Sequence, residues 1–454
     1  MKAFTDPHNS RKIQRRLIVE GELHLTSPAH FGNGDADEFI DMPLLVDALD
    51  GHSPFLSGAS IAGALRAYLS ELGVSNTIFG GDKQQNAGEQ SSLIVEDAIG
   101  IMPENTLPER RWGNRINDES GTAEHNALFD YVLWPVGTRF PIRFELLLCE
   151  GDDHQRMNDE LFSTLKGLSN GEIHLGARKQ RGFGCVKVDQ WKIREYNLQD
   201  KDDLQDWVLS GAGALSESYQ APLPSTTLEA SSNRFTLEAR LQPLGSLIIR
   251  AGDGKDDLGA DATHLKRQKA SGESELILSG NTLGGVLRSR CLRIAKTLGT
   301  DAKIVNQLFG NMENDHACAS KLRVEESVIK GARNDLIQSR VRIDRWTGGA
   351  ADSALFDAQP AFAGEDSNIS IKLSIKKPER REVGLLLLAF KDLATEDLPV
   401  GGESSIGRGR LCLKEPAKIK FDNKQYELAF EAEQQGPEDL EACVQALVNG
   451  RNEL

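Results

Sequence analysis

Three cations sit between glycines in the segment 176–184, which reads GARKQRGFG and holds Arg178, Lys179, Arg181, Gly182 and Gly184. Glycine permits positive φ and close backbone approach. With Arg and Lys between the glycines, such a loop suits the phosphates of a polyanionic strand. A second such loop, GGESSIGRGR, starts at Gly401 and holds Gly407, Arg408, Gly409 and Arg410. The plain alternative is a hairpin turn with solvated charges. Neither loop is a mononucleotide phosphate loop, because the GxxxxGK[ST] pattern is absent.

Two further elements carry chemistry. Ser57, Gly58 and Ser60 open the run SGASIAGALR, which ends at Arg66; Ser279 and Gly280 open SGNTLGGVLR, which ends at Arg288. Each reads as a turn followed by a capped helix, with apolar residues at helical spacing. A helix start rich in small residues exposes N–H groups to a phosphate, and the arginine two turns along adds a charge-assisted contact. The plain reading is an ordinary cap with close packing. Arg110, Arg111 and Arg115 with Trp112, and Arg340, Arg342 and Arg345 with Trp346, suit a strand whose bases are splayed and stacked. A mobile surface loop is the alternative. Asp41, in FIDMP, and Asp261, in GADA, are the acidic candidates, although a lone loop aspartate is usually a turn residue.

These pieces sit in a chain of 454 residues with 39% hydrophobic content, enough for two or three packed domains. Net charge is -15, which excludes a uniformly basic surface but not a local basic channel. The six cysteines (Cys149, Cys185, Cys291, Cys318, Cys412, Cys443) form no CxxC pair, so no disulfide framework or zinc site is expected; His316 and Cys318 form an isolated HxC. No signal-peptide pattern follows the basic residues Arg11, Lys12, Arg15 and Arg16, and no apolar run approaches a membrane span, so we expect a soluble cytoplasmic protein with no membrane partner.

The chain repeats itself. After the Ser-Gly elements, Asn76, Phe79 and Gly80 recur as Asn306, Phe309 and Gly310. Leu93, Val95 and Glu96 recur as Leu322, Val324 and Glu325. Arg115-Ile116 and the run Ala127 to Asp130 (ALFD) recur as Arg342-Ile343 and Ala354 to Asp357; Gly176, Gly182 and Gly184 recur as Gly401, Gly407 and Gly409. Collinear matches at nearly constant offset indicate a tandem duplication. The expected organisation is an N-terminal basic segment (1–14), a first domain (15–195), a linker (196–232) with a short helix near 204–209, a second domain (233–420), and an acidic tail (421–454) with a helix near 437–448. Each domain opens on an alternating strand.

Together these motifs resemble the RAMP superfamily of CRISPR-associated proteins, and in particular the Cas-seven-type backbone subunits of type III effectors. The likeness rests on Ile40-Asp41-Met-Pro43 with Asp47, the Ser57–Arg66 turn-helix, Phe79-Gly80, Leu93-Ile-Val-Glu-Asp97-Ala98 and the terminal glycine loop, and it covers roughly 15–195 and 233–420. Two such domains in one chain resemble the double backbone subunit of a III-D-like effector. The resemblance implies an α+β fold of two tandem ferredoxin-like (RRM-like) palm domains, each with a β-hairpin thumb, near 103–126 and 327–353. It implies that palm and glycine loop hold a crRNA and that the thumb kinks the crRNA–target RNA duplex. Other effector subunits would be partners, and target RNA would be cut at Asp41 with Mg2+ or Mn2+. Asp261 corresponds once one residue is inserted. Pro43 has no counterpart there, and a basic run, His264 to Lys269, follows instead.

Three other readings compete: a purely structural crRNA-binding subunit, a guide-processing nuclease using His24, His30 or His125, and a duplicated small-molecule binder, which the acidic pI fits. None of the histidines has a counterpart in the other repeat.

Overall fold

The computed structural model describes residues 12–32, 34, 40–81, 90–117, 120, 122–125, 127–211, 213–225, 233–251, 260–313, 316–430 and 436–450. Arg11 and most of the N-terminal segment, Phe39 beside Asp41 and Gly259 near Asp261 lie outside the described residues.

The first repeat runs β1 (Ile13–Leu25), α1 (Gly58–Glu71), β2 (Leu93–Val95), β3 (Glu109–Gly113), β4 (Phe129–Leu133), β5 (Arg139–Cys149), α2 (His154–Ser169) and β6 (Val186–Asn197). Its sheet has the order β2-β5-β1-β6, every neighbour antiparallel. This is the ferredoxin-like βαββαβ palm, with β3 and β4 inserted as a separate hairpin. Alternation in β1 makes it so. Leu17, Val19 and Leu23 point to one face and form the core with Ile61, Leu65, Phe144 and Leu165. Ile18 points to the other face.

The expected linker is folded. α3 (Lys201–Ser210), capped by Asp200, covers that other face, where Ile18, Tyr196 and Leu215 pack with Trp207. The Arg16 guanidinium lies 4.5 Å from the Trp207 ring centre. β7 (Gln220–Ala221) then pairs with β6. The composition of this stretch reads as a linker because its apolar residues are sparse; those it has are spent on the open sheet face.

The second repeat runs β8 (Arg234–Leu244), β9 (Ala262–His264), β10 (Lys266–Gln268), β11 (Ser274–Leu278), α4 (Gly280–Leu298), α5 (Lys303–Phe309), β12 (Leu322–Val324), β13 (Ser327–Lys330), β14 (Gln338–Ile343), β15 (Ala350–Gln359), β16 (Asn368–Lys376), α6 (Arg380–Ala394), β17 (Arg410–Leu413), β18 (Ala417–Phe421), β19 (Lys424–Leu428) and α7 (Glu438–Asn449). Its palm order, β12-β16-β8-β17, repeats the first. The tail extends it: β19 pairs with β18, and α7 packs on α6.

The thumbs differ from the sequence expectation. They are β3–β4 and β14–β15, so each runs further along the chain than 103–126 and 327–353. Ser327–Lys330 belongs to the palm instead, because Ile329 is buried opposite Ile369.

The repeats meet through charged groups with little access to water. Arg111 of β3, 3% exposed, pairs with Glu109 at 2.7 Å and with Glu326, whose side chain is fully buried. Glu326 also takes Arg267 at 3.1 Å. Glu71 of α1 pairs with Arg234 and Lys376. Removing one member of a buried ion pair strands the other charge. Glu326→Ala is therefore expected to cost about 3–5 kcal/mol, read as a lower urea midpoint. A destabilisation no larger than that of an ordinary surface substitution would contradict this clasp.

Candidate nucleic-acid interface

The first glycine loop leaves the palm just before β6. Arg178 takes a left-handed conformation at φ 55°, a single turn of 3-10 helix covers Lys179–Arg181, and Gly182 ends it at φ 86°. The loop reaches across to the second repeat. A side chain at Gly182 would strike the Glu325 and Glu326 backbone, and one at Gly280 would strike the Arg181 carbonyl. Gly182 and Gly280, expected to meet a phosphate strand, are thus occupied by each other's repeat. The Ser279 hydroxyl caps α4, accepting from Thr282 N at 3.2 Å. Tyr131 of β4 accepts from Asn281 Nδ2 at 3.0 Å across the same junction.

Around this docking three cations are half-buried. The Arg178 guanidinium lies 4.7 Å and 4.6 Å from the ring centres of Phe129 and Tyr131. An Arg181 Nη1 atom is buried with no hydrogen-bond partner. Burial pushes Arg178 and Arg181 below the usual arginine value, and for Arg181 the Arg288 and Arg178 charges add to it. Burial and the Arg323 charge push Lys179 down in the same way. Among the described residues no carboxylate lies within ion-pair distance of Arg178, Lys179 or Arg181.

Beside this loop lies a pocket of about 700 Å³, lined by His30, Asp41, Ser57, Ser60, Gly176 and Lys179 among others. The structure thus brings Asp41, the first turn-helix and the first glycine loop to one place. Asp41 is held reciprocally by β4: its Oδ2 accepts from Asp130 N at 2.9 Å, and Asp130 Oδ1 accepts from Asp41 N at 3.0 Å. Arg110 pairs with Asp130; against the opposing effect of burial, the bond from Asp41 N and then the Arg110 charge keep that carboxyl below the usual range. Asp261 repeats one half of the device, its Oδ2 accepting from Asp357 N at 2.8 Å, while Asp357 Oδ1 is buried with no hydrogen-bond partner. The two aspartates are structural counterparts despite the inserted residue. Asp130 and Asp357 were visible as the ends of the repeated ALFD run, without a role. His30 was missed as a member of this pocket. It is buried, with Nδ1 at 2.8 Å from the Val132 carbonyl. Burial, joined by the Arg178 charge, pushes it below the usual histidine value although that carbonyl opposes the shift. Of the other two histidines considered, His24 faces Glu22 at 3.5 Å and His125 is exposed at the thumb.

Several candidates have structural duties. The Ser57 hydroxyl accepts from Ser60 N at 3.2 Å, and Gly58 N donates to the Asp97 carboxylate at 2.7 Å, so the start of α1 is satisfied internally. Arg66 donates to the Gly80 carbonyl at 2.5 Å. Gly184 and Gly409 tie their loops back, donating to the carbonyls of Pro28 and Ser246 at 2.8 Å. Arg111 is in the clasp rather than on the thumb surface. Arg408 is corrected too: it is 3% exposed, pairs with Glu403 at 2.9 Å and donates to Gln338. Glu403 stands where the first loop has Arg178, with the same left-handed backbone, and also takes Arg340 at 2.9 Å. Trp112 lies under Arg110, 5.0 Å from guanidinium to ring centre, and Arg115 pairs with Glu124 at 3.2 Å. Arg342, Arg345 and Trp346 are exposed on the second thumb, with Trp346 at 88%. Gly407 is open, with nothing near the position of a side chain.

Among the described residues no three His, Cys, Asp or Glu side chains cluster around a common point, and none of their helices is long and apolar enough to cross a membrane. After reductive methylation with 13C-formaldehyde, Lys179 is expected to titrate below the usual lysine value, its charge disappearing earlier as pH rises. A midpoint at or above that value would show that burial does not penalise this charge.

No curated protein matches the chain. A family model described as the RAMP superfamily matches residues 22–187 and 240–412, one segment on each ferredoxin-like palm. With both palms, both thumbs and both glycine loops accounted for, the chain belongs to the RAMP superfamily.

Proposed function

We propose that this chain is an RNA-binding backbone subunit of a CRISPR effector, holding a crRNA and its target RNA along the first glycine loop and the junction between its repeats. The observation that carries this is the trio Arg178, Lys179 and Arg181, half-buried together with no carboxylate partner among the described residues, one Arg181 Nη1 atom being fully buried and unbonded. Burying charge without a counter-charge is costly. A polyphosphate strand supplies that counter-charge, and Trp112 and Trp346 on the thumbs offer faces for unstacked bases.

The finer reading is type III target RNA cleavage at Asp41. An RNA strand is cut when its own 2′-hydroxyl attacks the adjacent phosphate, which needs an in-line geometry and a proton acceptor. The Asp41 oxygen not used by Asp130 N would accept that proton, while Lys179 offsets charge on the phosphate. Asp41 also suits Mg2+ or Mn2+ in the usual manner of one carboxylate plus substrate phosphates, and the ion would further offset phosphate charge. We assign the cut to the first repeat, because Glu403 places a negative charge where the first loop has Arg178 and neutralises Arg340 and Arg408.

The second reading, a non-cutting structural subunit, draws on the bond between Asp41 and Asp130 N, which serves to hold the thumb. Labelled target RNA and guide-loaded full-length chain with its co-expressed partners separate the two. Asp41→Asn is expected to lower cleavage about 100-fold or more, while Asp261→Asn leaves it unchanged. Unaltered cutting by both variants favours the structural reading. Binding is tested apart from cutting: Arg181→Ala is expected to weaken affinity and flatten the slope of log K against log salt by about 0.7 for each phosphate no longer neutralised. An unchanged slope and affinity would remove the RNA path from this loop.

A further inference from the structure

The thumb strand β4 serves two places at once, because neighbouring residues on a strand face opposite ways. The Tyr131 hydroxyl accepts from Asn281 of the second repeat. Asp130 and Val132, on either side of it, hold the Asp41 segment of the first. Val132 N donates to the Met42 carbonyl at 3.4 Å, and the Val132 carbonyl lies 2.8 Å from His30 Nδ1. Asp130 N donates to Asp41 Oδ2 at 2.9 Å. These are backbone groups of β4, and they survive a change of side chain.

The Asp130 carboxylate completes the arrangement. Its Oδ1 accepts from Asp41 N at 3.0 Å, and its Oδ2 takes Arg110 Nε. Held from both ends, it keeps one oxygen aimed at the Asp41 backbone. Asp130 is 3% exposed, so little water competes for that bond. Asp41 is exposed and lines the pocket. A solvent-facing carboxylate on a loop has backbone and rotamer freedom, and two bonds in opposite senses to one buried residue remove much of both.

The second repeat solves the same problem differently. There β9 runs parallel to β15, Ala262 pairing with Ala358 and Thr263 with Gln359. This ladder holds the residues next to Asp261, and Asp357 N still donates to Asp261 Oδ2. The Asp357 carboxylate has no such duty: its Oδ1 is buried without a hydrogen-bond partner. By the strand pairing, Ile337 stands in the place of Arg110. Both repeats keep the aspartate that ends the ALFD run, but among the described residues only the first uses its carboxylate to fix the acidic segment.

We infer that Asp130 is a positioning residue for RNA cleavage: its carboxylate fixes the Asp41 backbone so that the Asp41 oxygen left unused by Asp130 N meets the strand in the pocket. The inference rests on the reading of Asp41 as the group that takes the proton. Asp130 acts through Asp41, and an error of about 1 Å in a reacting group can cost about 100-fold in rate. Since β4 belongs to the thumb, the placement of Asp41 also follows that of the thumb.

The guide-loaded full chain with its co-expressed partners decides it, with cleavage of labelled target RNA followed at saturation and affinity measured separately. Asp130→Ala is expected to lower the saturated rate about tenfold or more while affinity changes less than about twofold. Asp130→Asn keeps an acceptor for Asp41 N and lets the half-exposed Arg110 turn to solvent, so it is expected to recover most of that loss. A wild-type rate for Asp130→Ala, with Asp41→Asn inactive, overturns the inference and leaves the cleavage reading standing. So does a loss of affinity in step with rate, or an Asp130→Asn rate as low as that of Asp130→Ala. Cutting that survives Asp41→Asn removes the cleavage reading and this inference with it.

Discussion

The seating of Gly182 against the backbone at Glu326 governs the rest of the molecule. Its positive φ turns the loop outward, and its lack of a side chain lets two backbones touch. Once they touch, Arg181 lies over the start of α4 and its Nη1 atom loses its water. Arg111 and Arg267 then converge on one buried carboxylate, Glu326, which holds the thumb of one repeat against the palm of the other. A tandem of two palms joined only by a linker would leave these charges in solvent, where ion pairs contribute little.

This contact separates the cations into two groups. Those that reach a carboxylate, Arg111, Arg267, Arg340 and Arg408, hold the molecule together. Those that do not, Arg178, Lys179 and Arg181, remain as partly desolvated positive charge beside the Asp41 pocket. Duplication did not preserve this division. Position 403 carries the opposite charge to position 178 on the same left-handed backbone, so the two glycine loops share a geometry and differ in electrostatics. The net charge of -15 is compatible with a polyanion because the sign that matters is local.

Much of the architecture was legible in the chain. Alternation in β1 and β8, capped starts at Ser57 and Ser279, and the collinear repeats dictate two like domains, since those signals are local and periodic, and the family resemblance made each of them a palm. The matched ALFD runs carried a further message, the bond from Asp130 N to Asp41, that no spacing rule could decode. The thumb boundaries were misplaced because Ser327–Lys330 and β14 are both extended and turn-flanked; only pairing tells a palm strand from a hairpin strand.

Residue type and spacing alone determined the duplication, the glycine loops and the candidate aspartates, and the α+β class came with the family resemblance that those motifs carry. Tertiary structure alone decided which cations are available. Arg111 and Glu326 are 215 residues apart, and Arg178 looks no different from Arg408 in a one-dimensional string. Whether a guanidinium is quenched or left bare depends on what folds against it, and that is a property of the junction between the repeats rather than of either repeat by itself.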